Sequence, residues 1–188
     1  MVTSNNKKNL YICAVESDYL FFRRGHESPL FILKNMLKLK VETLLNEFFK
    51  ERKDLFLIKL SVSLDNKIEV IIDGDNGVML SDCISASRQV EHNLDRETED
   101  FSLEVASAGA TDPIVDPRQY NKNIGRKLMV KIEDEKLEGN LVEVTQQSIK
   151  LEWKVREPKP IGKGKVTIQK EKEILFKDIV EARVMITF

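Results

Sequence analysis

Two histidines, two cysteines and a few glycine-bearing stretches are the places in this 188-residue chain where residue type alone invites chemistry. His26 and His92 stand far from one another and from either cysteine, so no tetrahedral metal-ligand spacing forms. Residues 73–77, Asp-Gly-Asp-Asn-Gly, place carboxylates two apart as a calcium loop would. Such a loop needs an oxygen ligand at position 5, glycine at 6 and glutamate at 12, where this chain has Gly77, Val78 and Ile84, so a turn is expected instead. Val105-Ala106-Ser107-Ala108-Gly109 lacks the first glycine of a nucleophile elbow and leads into prolines rather than a helix. Gly162-Lys163-Gly164-Lys165 has neither the spacing nor the preceding context of a phosphate-binding loop. Cys83 has no basic or histidine neighbour in sequence to activate it and reads as a structural thiol. An acid–base pair among the carboxylates of the first half is the one catalytic arrangement that spacing leaves open. The expectation is a protein that is not an enzyme, with no metal, no cofactor and no small-molecule substrate.

Composition points the same way. Hydrophobic residues make up 41% and charged residues 32%, and no apolar run approaches the roughly 18 residues that cross a bilayer. Two distant cysteines are no disulfide framework, which suits a reducing, cytoplasmic setting and no membrane partner. Charge is segregated although the net is −1: residues 36–116 hold 9 Lys/Arg against 17 Asp/Glu, and residues 117–188 hold 16 against 11. The two halves should therefore meet different partners.

The elements that carry these residues follow from periodicity. Residues 1–35 fit neither half: an apolar stretch at 10–15 is broken by Glu16 and Asp18, and Arg23-Arg24 is followed by too short an apolar run for an export signal. They read as an N-terminal extension preceding a physiological start at Met36, or as a docking helix that shields Tyr11, Phe21, Phe22, Leu30 and Phe31. From Leu37 onward, Val41, Leu44, Leu45, Phe48 and Phe49 recur at helical spacing. Residues 55–63 alternate with Phe56, Ile58, Leu60 and Val62 on one face, Leu64 to Lys67 turn, and Ile68, Val70 and Ile72 return as a second strand. Ser81 reads as the cap of a second helix that carries Cys83, Ser87, Val90 and Leu94 on one stripe and ends near Asp95. Phe101, Leu103 and Val105 alternate as a third strand, closing an α-β-β-α-β unit of two helices on a three-stranded sheet. The prolines at 113 and 117 then mark a linker. A G-x-x-G clamp of the KH kind is absent, since Gly74 and Gly77 are flanked by Asp73, Asp75 and Asp82.

After Pro117 short strands dominate. Leu128, Val130 and Ile132 alternate, then Leu137, Leu141 and Val144 around Gly139, then Ile149, Leu151 and Trp153, then Val166 and Ile168. A single 3₁₀ turn at 176–179 precedes the last strand, with Val180, Val184, Ile186 and Phe188. Five short strands suggest a small barrel of the SH3 or Sm type, making the whole chain α+β. Lys150, Lys154, Arg156, Lys159, Lys163 and Lys165 gather on and around a Pro- and Gly-rich loop at 157–165. They are the candidate RNA-binding residues, a basic arm with Trp153 as a stacking neighbour; the alternative is a solvated hairpin with Trp153 in the core.

The strand and linker at 101–117 carry a resemblance. Leu103, Glu104, Val105, Ser107, Gly109 and Pro113 match the strand and loop that close the first domain in the RimP family of ribosome maturation factors. Further matches run upstream through Ile72-Asp73, Gly77-Val78, Asp82-Cys83, Ser87-Arg88 and Leu94-Asp95, and downstream to Gly125 and Gly139. Ala108 stands where the family usually has proline, and Asp112 where it usually has arginine, so the cation carried there elsewhere is missing here. The resemblance implies a RimP N-terminal α/β domain at 36–116 and an SH3-like barrel at 117–188. It also implies a non-catalytic factor for maturation of the small (30S) ribosomal subunit, in contact with ribosomal RNA and a small-subunit ribosomal protein of the immature particle. Glu104, Ser107, Gly109 and Pro113 would form the interdomain motif loop. By charge alone the acidic half suits a basic ribosomal protein and the basic half suits RNA; a stand-alone Sm-like regulatory RNA-binding module is the rival reading.

Overall fold

The computed structural model describes residues 29–95, 100–133, 135–158 and 164–186; most of the extension, His26 and Cys13 among it, lies outside them. Helix α1 spans Pro29–Glu51, beginning before the expected start at residue 36, so no element boundary falls at Met36. Proline is well placed in a first helical turn, where its missing N–H has no partner to lose. The buried stripe is Leu37, Val41, Leu45 and Phe48, with Leu44 and Phe49 packed beside it.

β1 (Leu55–Val62) and β2 (Lys67–Gly74) form the expected antiparallel hairpin, turned through Asn66 at φ 54°. The expected face of β1 is only half right, because the register shifts between Leu57 and Lys59. A bulge reverses the side-chain alternation at Ile58. Leu55, Leu57, Leu60 and Val62 therefore join the core, and Phe56 is turned to the opposite face of the sheet. Helix α2 (Leu80–Glu91) starts earlier than Ser81 as cap would place it. Met79 is the cap residue, and the Asp82 carboxylate reaches back to accept from the Met79 N–H at 2.9 Å. An acidic side chain in a first turn both satisfies that donor and complements the helix dipole. α2 carries the chain across the sheet so that β3 (Ser102–Ser107) lies parallel to β2, giving the order β1-β2-β3 with both long helices packed on the core face.

The second half opens with a four-residue helix, α3 (Arg118–Asn121), that the strand-dominated reading overlooks. Five strands follow: β4 (Lys127–Ile132), β5 (Lys136–Val144), β6 (Ser148–Pro158), β7 (Lys165–Leu175) and, after the 3₁₀ turn Phe176–Asp178, β8 (Ile179–Val184). They form one sheet in the order β7-β6-β5-β4-β8, and among the described residues no pairing joins β7 to β8, so the sheet is open where a closed barrel was expected. Its core is separate from the first and holds Tyr120, Leu128, Val130, Leu137, Leu141, Ile149, Leu151 and Ile174, with Trp153 half-buried against it. Val180, expected inside, is exposed, because the register against β4 slips between Lys131 and Ile132 and leaves it in the bulge. β7 is an edge strand of 11 residues. On its core-side face Lys170 pairs with Glu157 at 2.5 Å and Lys172 with Glu135 at 2.6 Å.

Candidate functional site

Two places hold the polar residues that neither core explains: the joint between the two halves and the β6–β7 hairpin. The joint is built on the end of β2. Asp73 is 2% exposed. Its carboxylate accepts from its neighbour Gly74 N–H at 2.8 Å, from Gln119 Nε2 at 2.7 Å and from the Lys122 ammonium. Gln119, also buried, accepts through Oε1 from the N–H groups of Val115 (2.8 Å) and Asp116 (3.0 Å), so both ends of its amide are used. A buried carboxylate is tolerated only with such partners. Beside it the Arg118 guanidinium forks onto Asp75 at 2.5 and 3.1 Å and donates to the Lys53 carbonyl at 3.0 Å. The same group lies 4.3 Å above the ring of Phe56, the residue that the β1 bulge turned outward. A guanidinium over an aromatic face adds a cation–π attraction to the fork.

The turn read at 73–77 is therefore present, and its carboxylates are committed to cations of the second half. Gly74 has to be glycine there, since a Cβ would stand 2.5 Å from the Gly77 carbonyl oxygen. Among the described residues no group of three His, Cys, Asp or Glu is placed to hold a metal ion. Cys83 is half-buried and its thiol is pushed up, first by burial and then by Asp82, which suits the structural role read from sequence. Arg52 closes the other end of α1 with bonds to Asp54 at 2.9 and 3.1 Å and to the buried Asp82 at 3.0 Å.

The motif loop joins the two sheets along this joint. Glu104 projects from β3 and pairs with Lys67 at 2.9 Å. Ser107 ends β3, and both it and Gly109 line a cleft of about 450 Å³ whose other wall carries Ile114, Lys122, Asn123 and Arg126. Asp112, the departure from the family pattern, accepts from the Gly109 N–H at 2.8 Å and pins the loop upon itself. Pro113 bridges to Arg183 on β8, and Ile114 N–H donates to the Ala182 carbonyl at 2.8 Å.

Of the basic candidates, Lys159 and Lys163 lie outside the described residues. Lys150 is drawn away from the others, paired with Glu171 at 2.8 Å, and its ammonium pKa is raised by that bond. Lys154 and Arg156 on β6 and Lys165 on β7 are exposed, and among the described residues none of the three makes an ion pair. The joint itself went unread in sequence. Its signal was Asp116-Pro117 followed by Gly125: an acidic residue before a proline N-cap, and a left-handed glycine three residues beyond the C-cap Lys122. Arg118 N–H donates to Asp116 Oδ1 at 2.8 Å, and Gly125 has φ 85°.

Comparison with known proteins gives this geometry a context. The sequence profile of the RimP N-terminal domain matches residues 45–111. A protein of Christiangramia forsetii named ribosome maturation factor RimP is 58% identical over 153 residues, covering 81% of this chain and all of that one. A relative of the same name from Flavobacterium psychrophilum is 50% identical over 151 residues, 80% of this chain and 98% of its own length. One from Porphyromonas gingivalis is 37% identical over 131 residues, 69% of this chain and 86% of that one.

Proposed function

Because this chain belongs to the RimP family of ribosome maturation factors, we propose that it is a non-catalytic assembly factor for the small (30S) ribosomal subunit. The observation that carries this reading is identity along the full length of a relative bearing that name, rather than over one shared module. Two domains, 36–116 and 117–188, divide the work. The basic hairpin of the second reaches ribosomal RNA, and the acidic first domain faces a basic ribosomal protein of the immature particle. Segregated charge supports this assignment, since phosphate contacts need Lys and Arg while a carboxylate-rich surface repels them. We read the five-stranded sheet as an SH3-like barrel, supported by its single core and by the register shifts between β4 and β8 and between β5 and β6.

The joint supports a role as a rigid two-part clamp. Arg118, Gln119 and Lys122 fix the second half on Asp73 and Asp75, so the two proposed surfaces are held at one spacing when a particle binds. Sedimentation of ribosomal particles from cells lacking the protein tests the reading. Immature small subunits carrying unprocessed precursor RNA are expected to accumulate. A normal subunit profile with normal precursor processing would refute it.

A further inference from the structure

We propose that the outer face of the distal β6–β7 ribbon grips the phosphate backbone of double-helical RNA without reading its bases. The inference rests on the assembly-factor reading and narrows the RNA it meets to one class.

Register decides which side chains share that face. β6 and β7 pair without a slip from Ser148↔Leu175 to Pro158↔Lys165, so directly opposed residues point the same way. Ile149, Leu151 and Ile174 lie in the core and fix the inner face. Trp153 and Val155 follow them inward by alternation. The outer face of the distal half is then Lys154 opposite Gln169, Arg156 opposite Thr167, and Pro158 opposite Lys165. Three cations and no carboxylate occupy these rungs. The next rungs toward the core hold Glu152 opposite Glu171 and Lys150 opposite Glu173, where a phosphate would be repelled. The cationic part of β6 covers five residues, a length on the order of 15 Å at the rise of a strand.

What this face lacks is as informative. Sequence-selective or general capture of unpaired RNA uses aromatic faces on which bases stack. Trp153 is the chain's only tryptophan, and it lies on the opposite side of the ribbon, half-buried against the core. Lys154, Arg156, Lys165, Thr167 and Gln169 offer charge, a hydroxyl and an amide, which suit phosphates and 2′-hydroxyls. The shallow minor groove of A-form RNA presents those groups along its edges, and a narrow two-stranded ribbon can lie across it.

The test titrates the full-length protein with a mixed-sequence RNA duplex of about 20 base pairs and with an oligouridylate of the same length, at several salt concentrations. The duplex is expected to bind more tightly, with an affinity unchanged when its base sequence is scrambled. K154Q/R156Q/K165Q, checked by circular dichroism, should weaken duplex binding on the order of 10- to 100-fold near 0.1 M salt and flatten log K against log salt by up to about 3. Tighter binding of oligouridylate with quenching of Trp153 emission would overturn the proposal, as would a folded triple variant with unchanged affinity and slope. A wild-type protein that binds neither RNA yet co-sediments with immature small subunits would overturn this inference and leave the assembly reading standing. In that event, loss of co-sedimentation in the triple variant would assign the three cations to an acidic protein surface.

Discussion

Asp73→Ala tests whether the joint couples the two halves. The substitution removes one acceptor from three donors: the Gly74 N–H, Gln119 Nε2 and the Lys122 ammonium. Gln119 is 5% exposed and keeps its Oε1 bonds, so its amide N–H cannot turn to water, and stranding it costs about 1–3 kcal/mol. Removing one partner of a fully buried ion pair costs about 3–5 kcal/mol. The Lys122 side chain is 25% exposed, however, and can swing its head to solvent, so its share is smaller. The total comes to about 3–4 kcal/mol, a large part of a typical stability of about 5–15 kcal/mol. Two probes read the halves separately during urea unfolding. The far-ultraviolet helical signal comes mainly from α1 and α2 in the first half, and Trp153 fluorescence comes from β6 in the second. In the wild type the two transitions should coincide. In the variant they should move to lower urea and separate, because each core persists without the other. A loss below about 1 kcal/mol with coincident transitions would refute the coupling argued here.

Phe48→Ala opens the core face of α1 at a residue 8% exposed and should cost about 3–5 kcal/mol by urea unfolding; wild-type stability would mean that the helix faces are misassigned. Gly74→Ala drives a Cβ to 2.5 Å from a backbone oxygen and should destabilise the protein by more than the about 0.5 kcal/mol of an ordinary surface change, read as a lowered melting temperature. Tyr120 is 4% exposed and burial pushes its phenol up to about 12, against about 10 when unfolded. The stability this gives is fully present below about pH 10 and is lost between about 10 and 12, amounting to about 3 kcal/mol. Urea midpoints measured upward from pH 9 should therefore fall more steeply for the wild type than for Tyr120→Phe, and equal slopes would refute the assignment.

How much of this was legible in sequence depended on range. The stripe Val41, Leu44, Leu45, Phe48 and Phe49 repeats within one element, and period alone placed it on the core. The five strands of the second half were legible for the same reason. Period says nothing about direction, so the parallel pairing of β3 with β2 was not in the pattern. Nor was the bulge at Ile58, where one extra residue reverses the face of the residues before it and frees Phe56 for Arg118. Helix α3 is a single turn, too short to show a period, and only its flanking Asp116-Pro117 and Gly125 announced it. The joint rests on Asp73 meeting Gln119 and Lys122, partners 46 and 49 residues away. No local rule links them. On the hairpin the reverse holds: once the register is known, alternation alone separates Lys154 and Arg156 from Trp153.

The ammonium groups on the core side of β7 bear on what the molecule does in the company of its own copies. An open edge of this length is a template on which another chain can polymerise, strand upon strand. Addition to β7 would lay the incoming strand's side chains against Lys170 and Lys172, whose heads are held in place by Glu157 and Glu135. A strand added there would have to cover these ion pairs and take them out of water, a desolvation cost that an apolar edge would not impose. The edge of β7 thus resists pairing with a second copy at concentrations where an apolar edge would seed fibres.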